Sequence, residues 1–309
     1  MLMSIKSNFI DCFNKDRLGS IDTSGKIPKL SPDLSYSTGN FSVLREKHSE
    51  LQLDSVNGTK HRLETILSRT NWAPSFFKDK LILECGCGAG PDTEVLLSLG
   101  AKVMSVDIAG LEIASKNIGD NSNSQFLQAS LLDLPFKENN FDIVYCHRVI
   151  QHTPNPDRYL RNILRYVKPS GHVFIHSYAK TWTQMVRWKY LLRPLTTNMS
   201  PSVLYHRIER HSSFLYNLCN KLEKIGKFGK TIKRIFVPFF NYRNNDFFKE
   251  KSDKWIIQYG IHDTFDALSP KFDNPLSCKR FRKIAEDILT PKNINWSILD
   301  GAGITLLRS

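Results

Sequence analysis

The chain has 309 residues, of which 41% are hydrophobic and 24% are charged. This length suits one large domain or two ordinary ones, and the composition is too apolar for a disordered protein. No apolar run approaches the roughly 18 residues of a membrane-spanning helix, and the start of the chain does not resemble a signal peptide.

The net charge of +13 is concentrated in one part of the chain. Residues 179–252 contain 15 Lys and Arg against 4 Asp and Glu, so nearly the whole surplus lies there. The cysteines lack the paired spacing of a disulfide framework or a zinc site; they are Cys12, Cys85, Cys87, Cys146, Cys219 and Cys278. We therefore expect no bound metal and a reducing, cytoplasmic location.

From Leu81 onward, short apolar runs alternate with amphipathic ones, which predicts strands separated by helices. The predicted strands are 81–83, 102–107, 125–128, 142–146 and 172–177, and the predicted helices are 60–70, 91–99, 111–118, 157–167 and 279–288. Strands joined through helices pair in parallel. Two last strands, 295–299 and 304–307, are joined by too few residues for a crossover, so we expect an antiparallel hairpin.

This pattern divides the chain into three predicted parts. Residues 1–79 form an amino-terminal segment, which the family resemblance given below places on the substrate side. Residues 80–178 and 271–309 form the sheet domain. The basic, aromatic-rich insertion 179–270 leaves from the carboxyl edge of a parallel strand, where ligands bind in open α/β sheets. We expect it to be a helical cap that keeps water out of the active site.

A glycine-rich loop follows the first of these strands. Gly86, Gly88 and Gly90 come after Glu84 in the pattern E-x-G-x-G-x-G. Glycines let the chain turn sharply and let a ligand approach the backbone, and the next helix offers its free N–H groups. Pro91 stands where a nicotinamide-binding G-x-G-x-x-G motif has its third glycine, which disfavours a dinucleotide-dependent oxidoreductase.

Asp107 ends the next strand, in a position to accept hydrogen bonds from ribose hydroxyls. Together with this residue, four stretches carry a family resemblance: LILECGCGAG (81–90), VMSVDIA (103–109), LLDLPFKENNFDIVYCHRVIQHTPNP (131–156) and LRNILRYVKPSGHVFI (160–175). In these stretches the chain resembles the class I S-adenosylmethionine-dependent methyltransferases, and among them the quinone-biosynthesis branch. The resemblance implies a Rossmann-like α/β fold whose seven-stranded sheet is mostly parallel and ends in an antiparallel hairpin.

The resemblance also implies a cofactor, S-adenosyl-L-methionine, and roles for the loop residues. Gly86, Gly88 and Gly90 would wrap the methionine part of the cofactor. Glu84 would hold its ammonium group, and Asp107 would bind its ribose hydroxyls.

On the adenine side, the resemblance places Ile108 against the ring, with Ser130 and Leu131 after the third strand. The family usually has an acidic residue at the position of Ser130. Either Ser130 or the nearby Asp133 would then meet the adenine amino group, and the sequence leaves this open. Cys146 and His147, just past the fourth strand, would lie beside the sulfonium.

A hydroxyl acceptor loses a proton when it is methylated, and a neutral histidine is suited to take it. The candidates are His147 first, then His262 paired with Asp263, then His152. His147 and His152 are equally well explained as hydrogen-bonded structural residues.

Basic residues recur at three-residue steps from Lys221 to Lys233, which on a helix gives a basic stripe. It is either a solvated face or a surface that attracts an anionic partner. That partner would be an anionic acceptor, the acidic lipid headgroups of a membrane that residues 221–248 contact, or RNA. RNA ranks last because no RNA-binding motif is present.

The function predicted from all of this is O-methylation of a small-molecule or lipid- or glycan-linked acceptor. The alternatives are an RNA methyltransferase, a dinucleotide-dependent oxidoreductase and a cofactor-binding subunit without catalysis.

Overall fold

The computed structural model describes residues 4–30, 38–178, 180–288, 294–299 and 303–308. Their centre is a nine-stranded sheet with the order β1-β2-β5-β4-β3-β6-β7-β9-β8. The strands are β1 (Ile21–Asp22), β2 (Lys29–Leu30), β3 (Leu81–Cys85), β4 (Lys102–Asp107), β5 (Ser124–Gln128), β6 (Phe141–His147), β7 (Val167–Tyr178), β8 (Ile294–Leu299) and β9 (Gly303–Arg308).

Strands β3 to β7 pair in parallel, and β9 lies antiparallel between β7 and β8. The predicted fold of seven mostly parallel strands with a terminal hairpin is therefore confirmed. The two-residue strands β1 and β2 extend the sheet beyond β5. The sequence did not indicate them, because two residues carry no periodic signal.

Helices cover both faces of the sheet and build the insertion. They are α1 (Thr38–Lys47), α2 (Asp54–Asn57), α3 (His61–Thr70), α4 (Pro91–Ser98), α5 (Leu111–Ile118), α6 (Pro156–Ile163), α7 (Trp182–Met185), α8 (Trp188–Thr196), α9 (Pro201–Lys224), α10 (Lys227–Phe236), α11 (Asp253–Leu268) and α12 (Cys278–Ile288). Helix α6 ends earlier than predicted because the chain tightens into a 3₁₀ turn and then enters β7. Within the described ranges, no helix combines the length and apolarity needed to cross a bilayer.

The insertion has a hydrophobic core of its own, separate from the clusters on the two faces of the sheet. Aromatic side chains dominate it, with Tyr205, Phe248 and Phe265 at most 5% exposed. Leu44, from α1, is buried in the same cluster. The amino-terminal helix α1 is thus packed into the cap.

The amino-terminal segment divides into two structural parts. Residues 4–30 pack against the sheet, where the Phe13 and Phe136 rings lie 5.2 Å apart between their centroids. Several residues between Leu44 on α1 and Arg62 on α3 line the cavity described below. Only this second part lies on the side where substrate was expected.

Candidate active site

A cavity of about 570 Å³ lies at the carboxyl ends of the parallel strands, between the sheet and the cap. The sheet contributes Glu84, Gly88 and Asp107 to its wall, and helices α8, α10 and α11 form the opposite side. We call these walls the cofactor side and the acceptor side. Ligands of open α/β sheets bind at this edge because the strand ends and the loops after them converge there.

The glycine loop between β3 and α4 follows the cofactor side closely. Gly86 has a φ of 81°, and a Cβ atom there would lie 2.3 Å from a methyl group of Val149. Gly88 has a φ of 59° and no atom within 4 Å of a Cβ built on it. The backbone at Gly88 is therefore open to a ligand, whereas Gly86 is required by packing.

Glu84 is a buried carboxyl group at the end of β3, only 2% exposed. Its Oε2 accepts hydrogen bonds from the Thr93 hydroxyl at 2.6 Å and the Ser105 hydroxyl at 2.7 Å. Burial, reinforced by the nearby charges of Asp92 and Asp107, raises its pKa to about 8. A ligand cation would favour the ionised form of this carboxyl group, so the site suits an ammonium group.

Asp107 uses both oxygens within the protein. Oδ1 accepts the Ile108 N–H at 2.7 Å, and Oδ2 accepts the Gly88 N–H at 2.9 Å and the Arg45 guanidinium at 3.0 Å. Arg45, on α1, also donates to the Ala109 carbonyl. Arg45 thus occupies part of the hydrogen-bonding capacity of Asp107. The sequence did not point to Arg45, because no local motif marks it.

On the adenine side, Ile108 and Leu131 line the cavity, as expected of ring-contacting residues. The structure does not place Ser130 in the cavity wall; its hydroxyl accepts the Leu132 N–H at 3.2 Å. The Asp133 carboxylate is 57% exposed and pairs with Arg17 at 2.8 Å. Neither of the two alternatives reaches the cavity in this arrangement.

Cys146 lies inside the sheet core rather than in the cavity wall, which differs from its expected place beside the sulfonium. Successive side chains of a strand point to opposite faces of the sheet. His147, the next residue of β6, therefore faces the other way and lines the cavity.

His147 belongs to a buried polar network. Its Nδ1 lies 2.7 Å from Asp92 Oδ2, which also accepts the Tyr145 hydroxyl at 3.0 Å, and its Nε2 contacts Arg69. A guanidinium only donates, so Nε2 is assigned as the acceptor and Nδ1 as the donor. Burial lowers the pKa of His147 to about 3, against the opposing effect of Asp92. Both ring nitrogens are occupied, which leaves none for an acceptor proton.

His262 and Asp263 form a pair on α11, in the acceptor side. His262 Nδ1 lies 3.0 Å from Asp263 Oδ1, and the Tyr242 hydroxyl donates to Oδ2. Burial opposes the charge of Asp263, but the bonds from His262 and Tyr242 outweigh it and lower its pKa. Within the described part of the chain, no hydrogen bond reaches His262 Nε2.

The third candidate, His152, also lines the cavity. Its Nδ1 lies 3.2 Å from the Phe272 carbonyl oxygen and therefore donates to it. Burial lowers the pKa of His152. The structure thus brings His147, His152 and the His262–Asp263 pair to one cavity. Among the described residues, no cluster of three or more potential metal ligands occurs.

Residues 83–175 match a protein family described as a methyltransferase domain. The demethylmenaquinone methyltransferase of Clavibacter sepedonicus is 27% identical over 172 residues, which are 52% of this chain and 67% of that protein. A mitochondrial ubiquinone biosynthesis O-methyltransferase of Schizosaccharomyces pombe is 30% identical over 136 residues, 41% of this chain and 46% of that protein. Residues 83–175 of the chain thus match a methyltransferase domain.

The resemblance based on the four sequence stretches is thereby confirmed. A solved structure of an S-adenosyl-L-methionine-dependent methyltransferase from Methanococcus maripaludis superposes over 88% of this chain and 94% of that one, with 15% identity and a TM-score of 0.46. The chain spans about two thirds of the first curated relative and under half of the second. The matched methyltransferase domain contains Glu84, the glycine loop and Asp107, whereas the cap lies outside the match.

Proposed function

We propose that the chain uses S-adenosylmethionine to methylate an oxygen atom of a small-molecule or lipid-linked acceptor. The observation that carries this proposal is one continuous cavity. It joins the Glu84, Gly88 and Asp107 side of the sheet to the His262–Asp263 pair of the cap. S-adenosylmethionine supplies a methyl group already activated on a sulfonium. The residues of the chain then have to orient the acceptor, keep out water and remove its proton.

The donor set on the cofactor side fits this cofactor. The buried Glu84 carboxyl would hold the ammonium group, and the open backbone at Gly88 would lie along the methionine part. Asp107 would accept the ribose hydroxyls once Arg45 has moved away.

The proton acceptor in this proposal is His262. Asp263 holds Nδ1–H and thereby directs the lone pair of Nε2 outward from the pair. His147 is less suited, because Arg69 and Asp92 occupy its two nitrogens.

Two observations support a lipid-linked acceptor methylated on oxygen. Leu191 and Leu195 on α8, with Phe228 and Phe236 on α10, are at least 60% exposed. Both helices contribute residues to the cavity wall, so this apolar surface lies beside the cavity. In addition, one relative is named a demethylmenaquinone methyltransferase and another a ubiquinone biosynthesis O-methyltransferase.

Calorimetric titration with S-adenosylhomocysteine tests the cofactor assignment. We expect the wild-type protein to bind it, and Asp107→Asn to bind it at least roughly tenfold more weakly, because charged hydrogen bonds to the ribose are lost. Asp133→Asn is the matched control, since Asp133 lies outside the cavity and pairs with Arg17. If the wild-type protein shows no binding, the proposed function is wrong. If Asp133→Asn binds the ligand more weakly, then Asp133 also contacts the adenine, in addition to Ile108 and Leu131.

A further inference from the structure

Arg148 occupies an unusual position directly after β6. It has a φ of 61°, which places a large side chain in the left-handed region that residues other than glycine rarely adopt. Its backbone N–H donates to the His176 carbonyl at 2.8 Å, which holds this conformation. Strained residues of this kind concentrate at functional sites. The strain here directs an arginine side chain into the wall of the cavity.

The guanidinium of Arg148 has no hydrogen bond or ion pair with any residue that the structure describes, and it is accessible through the cavity. Its neighbours are Tyr178, Tyr242 and Asp263. Asp263 is already engaged by His262 and Tyr242. Burial opposes the charge of Arg148, but these neighbours together raise its pKa, so it remains a cation. Asp263 interacts with Arg148 electrostatically, but no ion pair joins the two side chains in the described structure.

A second arginine of the cavity wall is in a similar situation. Arg187, just before α8, has a buried Nε atom without a hydrogen-bond partner in the described structure. Arg234 on α10 lies close enough to repel its charge, and Tyr178 interacts electrostatically with both Arg187 and Arg148. Both arginines and Tyr178 line the same cavity, and the unsatisfied buried donor of Arg187 calls for an acceptor atom.

The other charges of the acceptor side are largely compensated. Lys189 pairs with Asp273 at 2.7 Å, and Lys233 pairs with Glu223. Asp266, the remaining carboxylate of this wall, interacts with Lys189. Among the described residues of the cavity wall, Arg148 and Arg187 are therefore cations without an ion pair.

We propose that Arg148, directly after β6, and Arg187, just before α8, form an oxyanion subsite in the cavity wall, so that the acceptor carries a carboxylate or a phosphate group. This inference deepens the proposed function and rests on it for the identity of the occupant as an acceptor. Arginine suits the role because its planar donor pattern matches both groups in a bidentate manner. The subsite would fix the acceptor at one end while its hydroxyl lies near the methyl donor.

The subsite can be tested with small fluorinated anions observed by ¹⁹F NMR. The probes are 4-fluorobenzoate for a carboxylate and monofluorophosphate for a phosphate, with neutral 4-fluorobenzamide as the reference ligand. They are titrated into the full-length protein saturated with S-adenosylhomocysteine. The variants are Arg148→Asn, chosen because asparagine tolerates a positive φ, and Arg187→Gln. Lys230→Gln removes one exposed charge of α10 outside the cavity and is the matched control.

We expect the wild-type protein and Lys230→Gln to bind at least one anion more tightly than the benzamide. Both cavity variants should bind that anion roughly tenfold more weakly. The anion that binds more tightly shows whether the subsite prefers a carboxylate or a phosphate. Arg148→Lys, which keeps the charge, should recover part of the affinity and shows that the loss is not a folding defect.

The proposal is wrong if the wild-type protein does not prefer an anion over the benzamide, or if either cavity variant binds it as tightly as the wild type. Repeating the titrations without S-adenosylhomocysteine keeps this result separate from the proposed function. A protein that binds the anion but no cofactor retains the subsite and loses the methyltransferase assignment. A protein that binds S-adenosylhomocysteine but no anion keeps the methyltransferase assignment and lacks the subsite.

Discussion

The Glu84 carboxyl combines deep burial with hydrogen bonds from two hydroxyls, and its pKa is raised to about 8. Below that pH the ligand-free group keeps its proton. Binding of an ammonium group favours the carboxylate, so the proton leaves when the ligand arrives. Affinity is therefore linked to pH at this single residue.

The prediction is that the dissociation constant of S-adenosylhomocysteine falls as the pH rises from 6 to 8, by up to about tenfold per unit. Near pH 8 the ammonium group of the ligand begins to titrate, which sets the upper limit of this range. Glu84→Gln should bind more weakly and with a flatter pH dependence. Calorimetry in buffers of different ionisation enthalpy measures both the affinity and the released proton.

Glu112→Gln is the control, because Glu112 is exposed and pairs with Lys29. Glu84 is not the linked group if Glu84→Gln keeps the wild-type slope.

The histidines allow a second prediction at the residue scale. His262→Gln should lower the turnover number by roughly a hundredfold, the loss typical of a missing general base. His147→Gln should act mainly on stability, because it breaks the bonds to Asp92 and Arg69. The measurement is transfer of a radiolabelled methyl group to a lipid and small-molecule extract, alongside thermal melting. Equal turnover in His262→Gln and the wild type would exclude His262 as the base.

The site residues that the sequence indicated are those with a local signature. Glu84 and the glycines follow a strand in a recognisable pattern, and Asp107 ends the next strand. Arg45 contacts Asp107 across 62 positions of sequence, and Arg69 contacts His147 across 78. Such pairs form only through tertiary packing, so no spacing in the sequence marks them. The same holds for Arg148, whose conformation is invisible without backbone angles.

At the scale of elements, periodicity predicted the five parallel strands and the hairpin because each has a strong apolar pattern. It could not show that α8 and α10 lie side by side, nor which of their apolar residues remain exposed. In the structure both helices contribute to the cavity wall and also present apolar side chains to solvent. Lysines accompany these side chains on α10, a combination typical of a helix at an acidic lipid surface.

We therefore predict that the protein sediments with phosphatidylcholine vesicles that contain phosphatidylglycerol, and less with phosphatidylcholine alone. The double variant Phe228→Ser/Phe236→Ser should bind at least roughly tenfold less, because two exposed aromatic rings no longer enter the lipid. High salt should weaken binding, since part of it is electrostatic. Val56→Ser removes a similarly exposed apolar residue from α2 and is the control. Binding that is unaffected by the double variant would place the contact elsewhere.

For the molecule as a whole, α1 connects the cap with the cofactor side. Leu44 is buried in the cap core, and its neighbour Arg45 is bonded to Asp107. Helices α9 and α11 pack against α1. Loss of the Arg45–Asp107 bond can therefore affect the packing of the cap, because Arg45 is adjacent to Leu44 in the cap core.

The corresponding prediction is that Arg45→Gln binds S-adenosylhomocysteine several-fold more tightly, because a ribose no longer competes with a buried charge pair. Lys47→Gln, an exposed position of the same helix, should leave the affinity unchanged. Hydrogen exchange of wild-type protein should show altered protection in α1 and α9 when the ligand is added. Weaker binding by Arg45→Gln would mean that Arg45 assists the ligand.

The bond between Arg45 and Asp107 has a kinetic consequence. A ligand that takes the place of Arg45 at Asp107 displaces a side chain of α1. The same helix packs against α9 and α11 of the cap. If the chain binds S-adenosylmethionine at Asp107 as proposed, we expect the two substrates to bind in a fixed order. The methyl donor would bind first and displace Arg45, and the acceptor would bind afterwards to the rearranged acceptor side. Steady-state kinetics would be sequential and ordered, with the demethylated donor leaving last.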